Sequence, residues 1–416
     1  MHLDLPSMKR VLLVVSVICA LFVAWTATVR VSTAEHSEVA LDSLPSPAGP
    51  GSAEPNLAVS PDGRVYLSWH EPVDSGYALR LSVFDGRAWS AAQTVRTGRD
   101  FFVNWADFPS VEALGGGKLA AHWLQRTGRP TYAYGVRVAL SSDEGRTWSA
   151  PIVPHSDTSL TEHGFVSLWR ENDKLGAVWL DGRKFREARN PQNEMTVVTT
   201  MLDATGKTGE EITLDGRACD CCQTSAAMTA QGPIVAYRDR SSDEIRDIYF
   251  VRRVKGKWTI PAAVHSDGWK INACPVNGPS VAAMGDRVAL AWFSAADEKP
   301  RVNLAFSSSS GQKFSAPIRI DEGNPTGRVD VAVLRDGSAL VTWIERAGGD
   351  TAAVRLRRVD RKGKSGAAVT IAASSATRAS GFPRMAIAGD HLLIAWTAPG
   401  RPSAVRVARL PLATIR

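Results

Sequence analysis

The sequence predicts an all-β fold: a seven-bladed β-propeller closed by an N-terminal strand, with six blades as the alternative count. Three observations carry this expectation. First, seven apolar strands each end in an aromatic residue followed by polar or charged side chains: Trp69, Trp123, Trp179, Tyr237, Trp292, Trp343 and Trp396, at intervals of 54, 56, 58, 55, 51 and 53 residues. A repeat of this length, made of short strands, cannot bury a core alone and must stack against its neighbours. Second, each anchor strand is preceded by a tight Gly/Asp/Asn turn, the signal of a hairpin between apolar runs. Third, the last unit is one strand short, and a spare strand stands at the other end of the chain.

The elements follow in order. In the first unit Asn56–Val59 leads to the turn Ser60-Pro61-Asp62-Gly63 and then to Val65–Trp69. Later units turn at Gly115-Gly116-Gly117, Glu171-Asn172-Asp173, Gln231-Gly232, Gly285-Asp286, Asp336-Gly337 and Gly389-Asp390. Third strands such as Val136–Leu140 and Val302–Phe306 come after the anchors, and fourth strands such as Pro151–Val153 and Pro317–Ile320 complete the units. The last unit has a third strand, Ala404–Ala408, and no fourth. Glu38-Val39-Ala40-Leu41 is the spare strand that would pair with it and remove the open edge.

The chain divides into a leader, 1–34, and a propeller, 35–416. Lys9-Arg10 precede the uncharged stretch Val11–Val29, and Ser32-Thr33-Ala34 offers small residues for cleavage. This pattern reads as a secretory signal, with an uncleaved membrane anchor over 11–29 as its rival. Either way the body is expected to be periplasmic or secreted. The net charge is +7, falling to +5 without the leader, and the basic residues are scattered, so no nucleic-acid partner is indicated. A monomer without cofactor is expected, with a glycan or a protein as its ligand.

In a propeller the loops from strand two to three and from four to one share one face, around the central channel. The polar groups past each anchor converge there with those opening each first strand. Trp179-Leu180-Asp181-Gly182-Arg183 and Tyr237-Arg238-Asp239-Arg240 are the most alike. Asp181, Asp239 and Glu345 are therefore the candidates for acid–base work, with no catalytic role assigned to any. Arg183, Arg238, Arg328, Arg346, Arg384 and Gln223 are the candidates for ligand binding, since arginines recognise anions through paired donors. The competing reading of each arginine is an ion pair between blades.

Four cysteines follow the leader: Cys219, Cys221, Cys222 and Cys274. Aligning the units places both groups on the channel face, at the openings of blades four and five. An even count in an exported protein reads first as two disulfides. One would join Cys274 to the triplet, and Cys219–Cys221 or Cys219–Cys222 is favoured over the strained Cys221–Cys222 pairing. A thiolate site for Cu(I) or Zn(II) is the alternative, and the expected reading has no bound metal.

Between strands three and four of the second unit lies Ser141-Ser142-Asp143-Glu144-Gly145-Arg146-Thr147-Trp148, the pattern S-x-D-x-G-x-T-W. Asp143 can accept backbone N–H bonds in the turn, and Gly145 tolerates positive φ. Eroded copies recur at Asp85–Trp89, Lys255–Trp258 and Ser307–Phe314. On these residues the chain resembles the sialidase superfamily of Asp-box propellers over residues 38–416. The resemblance implies that the boxes are structural and lie opposite the active face. It also implies three arginines gripping a carboxylate, an Asp acid/base and a Tyr/Glu pair. The chain departs from that pattern: Glu54-Pro55-Asn56-Leu57 stands where an Arg-Ile-Pro-like motif would open the first blade, and no Tyr is marked as nucleophile. The expected function is therefore an exported propeller that binds a glycan or protein through its channel face. The alternative is a glycoside hydrolase, exo-sialidase-like, acting on anionic glycans.

Overall fold

The computed structural model describes residues 41–74, 76–186 and 194–416. They form a seven-bladed propeller of antiparallel sheets, each met in chain order from the channel outward except blade seven, whose outer strand comes from the N-terminal side. Blade one is Ala53–Val59, Val65–Val73, Gly76–Phe84 and Gln93–Gly98. Blades three and six are likewise complete, running from His163–Glu171 to Ile212–Ala218 and from Pro325–Val333 to Val369–Ser375. The outer edges of the others are reduced. In blade two the expected strand at Pro151–Val153 pairs only at Ile152, opposite Val138. In blade four it splits into Lys257–Trp258 and Ala262–Ala263, and in blade five it is Ile318–Arg319.

The ring closes as expected, but three residues later in the sequence. Asp42–Leu44 pairs with Val407–Arg409 of blade seven, while Glu38–Ala40 of the predicted strand lie outside the described residues. The register is explained by what it buries and pairs. Leu44 joins Leu57, Trp69 and Leu393 between blades seven and one, and Asp42 meets Arg409 at 2.6 Å. The leader at 1–34 also lies outside the described residues; among those described, no helix is long and apolar enough to cross a membrane.

The seven anchors are the core. All are buried, and each belongs to a cluster shared by two adjacent blades. Trp123, for example, packs with Leu79 and Leu81 of blade one, and Trp343 packs with Trp269 and Phe293 of blade five. Seven main clusters fill the seven blade interfaces, so no blade holds a core of its own. Truncating a tryptophan so placed costs about 3–5 kcal/mol. The hairpin tip at Ser141–Trp148 is tied as its residues suggest. Thr147 N and Oγ1 donate to Asp143 at 2.9 and 2.7 Å, and Trp148 Nε1 donates to Gly145 O at 3.0 Å.

Candidate functional site

A buried indole N–H needs an acceptor, and at three anchors a carboxylate two residues further on supplies it. Trp69 donates to Glu71 at 3.0 Å, Trp179 to Asp181 at 2.9 Å and Trp343 to Glu345 at 2.5 Å. Two of the three acid–base candidates are thus anchor partners. Asp181 also receives Arg183 through Nε and Nη2, both at 2.7 Å. Burial alone would raise its pKa, but the Arg183 hydrogen bonds, His163 and Trp179 outweigh that and hold it below the ordinary value. Glu345 accepts the backbone N–H of Asn324 at 2.6 Å. The third candidate, Asp239, is pushed up to about 7 by burial and by the charge of Asp215; Asp215 takes over as partner of the one tyrosine anchor, Tyr237, at 2.5 Å.

Four of the six binding candidates are already engaged in contacts within or between blades. Arg238 is wholly buried and donates to the carbonyls of Asn277, Arg246 and Phe293, with its guanidinium 4.8 Å from the Trp269 ring centre. Arg183 bridges Asp181 and Glu211. Gln223 spans Ala106 O and Gly278 N. Arg384 faces the channel, 3.7 Å from Asp330, over the Phe108 ring.

Arg328 and Arg346 behave differently. With Arg378 they line a cavity of about 430 Å³ on the channel face, walled by Trp105, Trp269 and Phe293 and edged by Asn277, Asn324 and Thr326. None of its lining residues is acidic. Arg328 is placed by strained backbone. A bulge in the first strand of blade six puts Gly327 at φ 89°, where a Cβ would stand 2.3 Å from Asn277 Oδ1, and Arg328 itself at φ 59°. The conformation is held because Arg328 N donates to Asn277 Oδ1 at 2.7 Å; such strain persists only where neighbours enforce it. The guanidinium donates to Thr377 O at 2.8 Å and Ser380 Oγ at 2.5 Å, and lies 4.7 Å from the Trp105 ring centre. Among the described residues no carboxylate is in ion-pair range of Arg328, Arg346 or Arg378. Burial, then repulsion by Arg346 and Arg378, lowers the Arg328 pKa to about 10. Arg328 keeps its charge at neutral pH without a carboxylate partner, and a bound anion would favour that charged form.

A second cluster lies across the same face. Tyr134 Oη is hydrogen-bonded to Asp107 Oδ2 at 3.1 Å and to Glu162. One hydroxyl proton cannot serve two carboxylates, so a carboxyl here keeps its own proton. Burial, opposed only in part by hydrogen bonds, pushes Asp107 up to about 7 and Glu162 up to about 8. Asp107 Oδ1 also accepts Phe165 N at 2.7 Å, and only glycine fits at 164, where a Cβ would stand 2.1 Å from Asp107 Oδ2. Nearby on these blades, His70 pairs with Glu54 at 2.6 Å and His163 with Asp157 at 3.1 Å.

The cysteines do converge on the channel face, but the expected disulfides are not formed. The Cys219 sulfur is 3.6 Å from that of Cys221 and 3.5 Å from that of Cys222, against about 2.05 Å for a bond, and all four cysteines are free.

Sequence reasoning missed Tyr134, Glu162, Arg378, Trp105 and Trp269. For the two tryptophans a signal existed: both fall outside the anchor register, in loops between strands. Tyr134 and Glu162 carry no signal of spacing, since only the meeting of a strand from blade two with the loop entering blade three pairs them.

No family profile matches the chain, and no curated protein matches it in sequence. Solved structures do share its fold. The chain is similar to a polysaccharide lyase, an ulvan lyase bound to -[GlcA(1-4)Rha3S]-, with 11% identity, a TM-score of 0.59 and coverage of 89% of this chain and 96% of that one. It is also similar to an α-L-arabinofuranosidase mutant from Fusarium graminearum in complex with an iminosugar inhibitor, at 13% identity, a TM-score of 0.50 and coverage of 91% and 98%. A Hadza microbial sialidase aligns at 14% identity and a TM-score of 0.44, over 70% of this chain and 63% of that one. The neighbours thus include a sialidase and other propellers that act on glycans.

Proposed function

We propose that this protein is an exported propeller that binds an anionic glycan in the arginine cavity of its channel face. One observation carries the reading: three arginines meet in a cavity with no acidic lining residue, against the rings of Trp105 and Trp269. Guanidinium groups suit carboxylate or sulfate, and indole faces suit the apolar faces of sugar rings. The ulvan lyase offers support of the same chemical kind, because GlcA carries a carboxylate and Rha3S a sulfate. Export rests on the leader pattern at 1–34.

Calorimetric titration with uronate-containing or sulfated oligosaccharides, set beside neutral ones of equal length, tests this. Binding of the anionic set that falls tenfold or more in Arg346→Ala and Arg378→Ala supports the proposal. Equal binding of neutral oligosaccharides, or anion binding unchanged in both variants, sinks it.

A second reading is cleavage of the bound glycan, favoured by the Tyr134–Glu162–Asp107 cluster. Two carboxyls with pKa near neutrality are suited to give and take protons at pH 7. New chain ends released from an anionic polysaccharide by the wild type, and not by Glu162→Gln, would establish it. Intact binding without any release leaves the protein a binding module.

A further inference from the structure

We propose that Cys219, Cys221 and Cys222, completed by Cys274 or Asp220, form a thiolate site for a single thiophilic d10 ion, Zn(II) or Cu(I). The argument begins with spacing. Cys219 and Cys222 stand in a Cys-x-x-Cys arrangement, the common half of a thiolate metal site. The turn between Ile212–Ala218 and Ser225–Thr229 folds the triplet so that its three sulfurs lie within 4.8 Å of one another, two of the separations being 3.5 and 3.6 Å. Four sulfurs around zinc at about 2.3 Å stand about 3.8 Å apart along each tetrahedral edge. The observed separations are close to that figure and well beyond bonding distance. The ligands are therefore gathered about a common point and not joined in pairs.

The surroundings suit bound thiolates. Two sulfurs already accept hydrogen bonds: Cys219 Sγ from Arg246 Nη1 at 3.2 Å, and Cys222 Sγ from Asn277 N at 3.4 Å. Arg246 and Arg238 place positive charge beside a cluster that is negative once metallated. Such outer partners orient ligands and stabilise their charge. A fourth position has two claimants, because Cys221 belongs also to a second group in which its sulfur, the Cys274 sulfur and an Asp220 carboxylate oxygen lie within 4.8 Å of one another; either would swing toward Cys219 and Cys222 to complete the shell. The triplet opens blade four and Cys274 opens blade five, so the ion would pin these two loops together.

That pin has a consequence for the cavity. Asn277, whose N–H meets Cys222, is the residue whose Oδ1 holds Arg328 N, and Cys274 lines the cavity itself. The ion would brace the wall that positions Arg328. The site itself stands on the cysteine geometry, whatever ligand the cavity takes.

The test uses the described propeller with its leader removed, purified under anaerobic reducing conditions. Zn(II) is titrated against a chromophoric chelator, Cu(I) against a Cu(I)-specific one, and Co(II) serves as a spectroscopic probe. The expected result is one equivalent of Zn(II) or Cu(I), sulfur-to-cobalt charge-transfer absorption, and protection of the thiols from alkylation by the preferred ion. Cys219→Ser and Cys222→Ser should each weaken binding by tenfold or more. Should either fail to fold, exposed Cys274→Ser and the alkylation of wild type still decide the matter. Uptake unchanged in a variant with all four cysteines replaced by serine overturns the proposal, as does isolation of two disulfides that take up no metal after reduction. Loss of metal with oligosaccharide binding absent throughout would count against the glycan reading alone.

Discussion

Blades one to three and blades five to seven build equivalent loops on one face and settle their charges differently. On the first side acids are partnered: Glu54 with His70, Asp157 with His163, Asp181 with Trp179 and Arg183, and Asp107 and Glu162 sharing Tyr134. On the second side Arg328, Arg346 and Arg378 gather with no acid in reach. The same backbone device serves both. Phe165 and Arg328 each stand at positive φ, and each gives its N–H to a side chain of the preceding blade, Asp107 or Asn277. One position is filled with an apolar ring and the other with an unpaired cation. Charge that satisfies itself stabilises a fold, whereas charge left uncompensated is a place for something else to bind.

The largest effect should come from the self-satisfied side. Asp181→Ala leaves the buried Trp179 N–H without its acceptor and Arg183 with Glu211 alone, and should cost about 3 kcal/mol or more in denaturant unfolding. A loss below about 1 kcal/mol would show that this side is not the structural one.

Next comes a pH dependence. Asp107 and Glu162 hold protons more tightly folded than unfolded, since their pKa values of about 7 and about 8 stand above the ordinary 3.8 and 4.5. The folded chain therefore binds more protons between about pH 4 and about pH 8. Their contribution is full below that window and lost as pH rises through it, with a slope of up to about 1.4 kcal/mol per pH unit for each group. Unfolding followed from pH 5 to pH 8 should show the decline, and Glu162→Gln should flatten it. A curve that the variant leaves unchanged would mean that Glu162 is ionised like a surface carboxylate.

The smallest effects on stability, and the sharpest test of the contrast, belong to the other side. Arg346→Ala and Arg378→Ala should leave Tm within about 2 °C, because both side chains are exposed and unpaired. Arg238→Ala, which strips hydrogen bonds from three buried carbonyls, should lower stability by several kcal/mol without any direct contact to ligand. If the exposed pair proves as costly to remove as Arg238, the arginines of blade six and seven are structural and the cavity loses its meaning.

What could be read directly was whatever repeats. The anchors gave the blade number, and the channel-face loops were located correctly as the place where polar groups meet. Arg328, Arg346 and the four cysteines were found there because position in the repeat implies position on the face. Their partners were not legible. Asp181 and Glu345 looked like catalytic candidates because they recur two residues past a tryptophan, yet that recurrence has a structural cause, the indole N–H they accept. A repeated residue in a propeller serves the repeat, and the informative residues are those that break it, such as Trp105 and Trp269.

The sequence by itself determined a ring of seven blades, because short strands with one buried aromatic each have no other way to hide their cores. Its closing strand was also implied, though not its register, which depends on where Leu44 can be buried and Asp42 can meet Arg409. Only the tertiary structure decided which charges cancel and which remain. Neutralisation needs partners within about 4 Å, and several of them come from distant loops: Arg183 meets Glu211, 28 residues on, and Arg384 meets Asp330 of the neighbouring blade, whereas Arg328 meets no carboxylate among the described residues. Spacing along the chain carries no record of that proximity, so the paired arginines looked as available as the unpaired ones until the chain was folded.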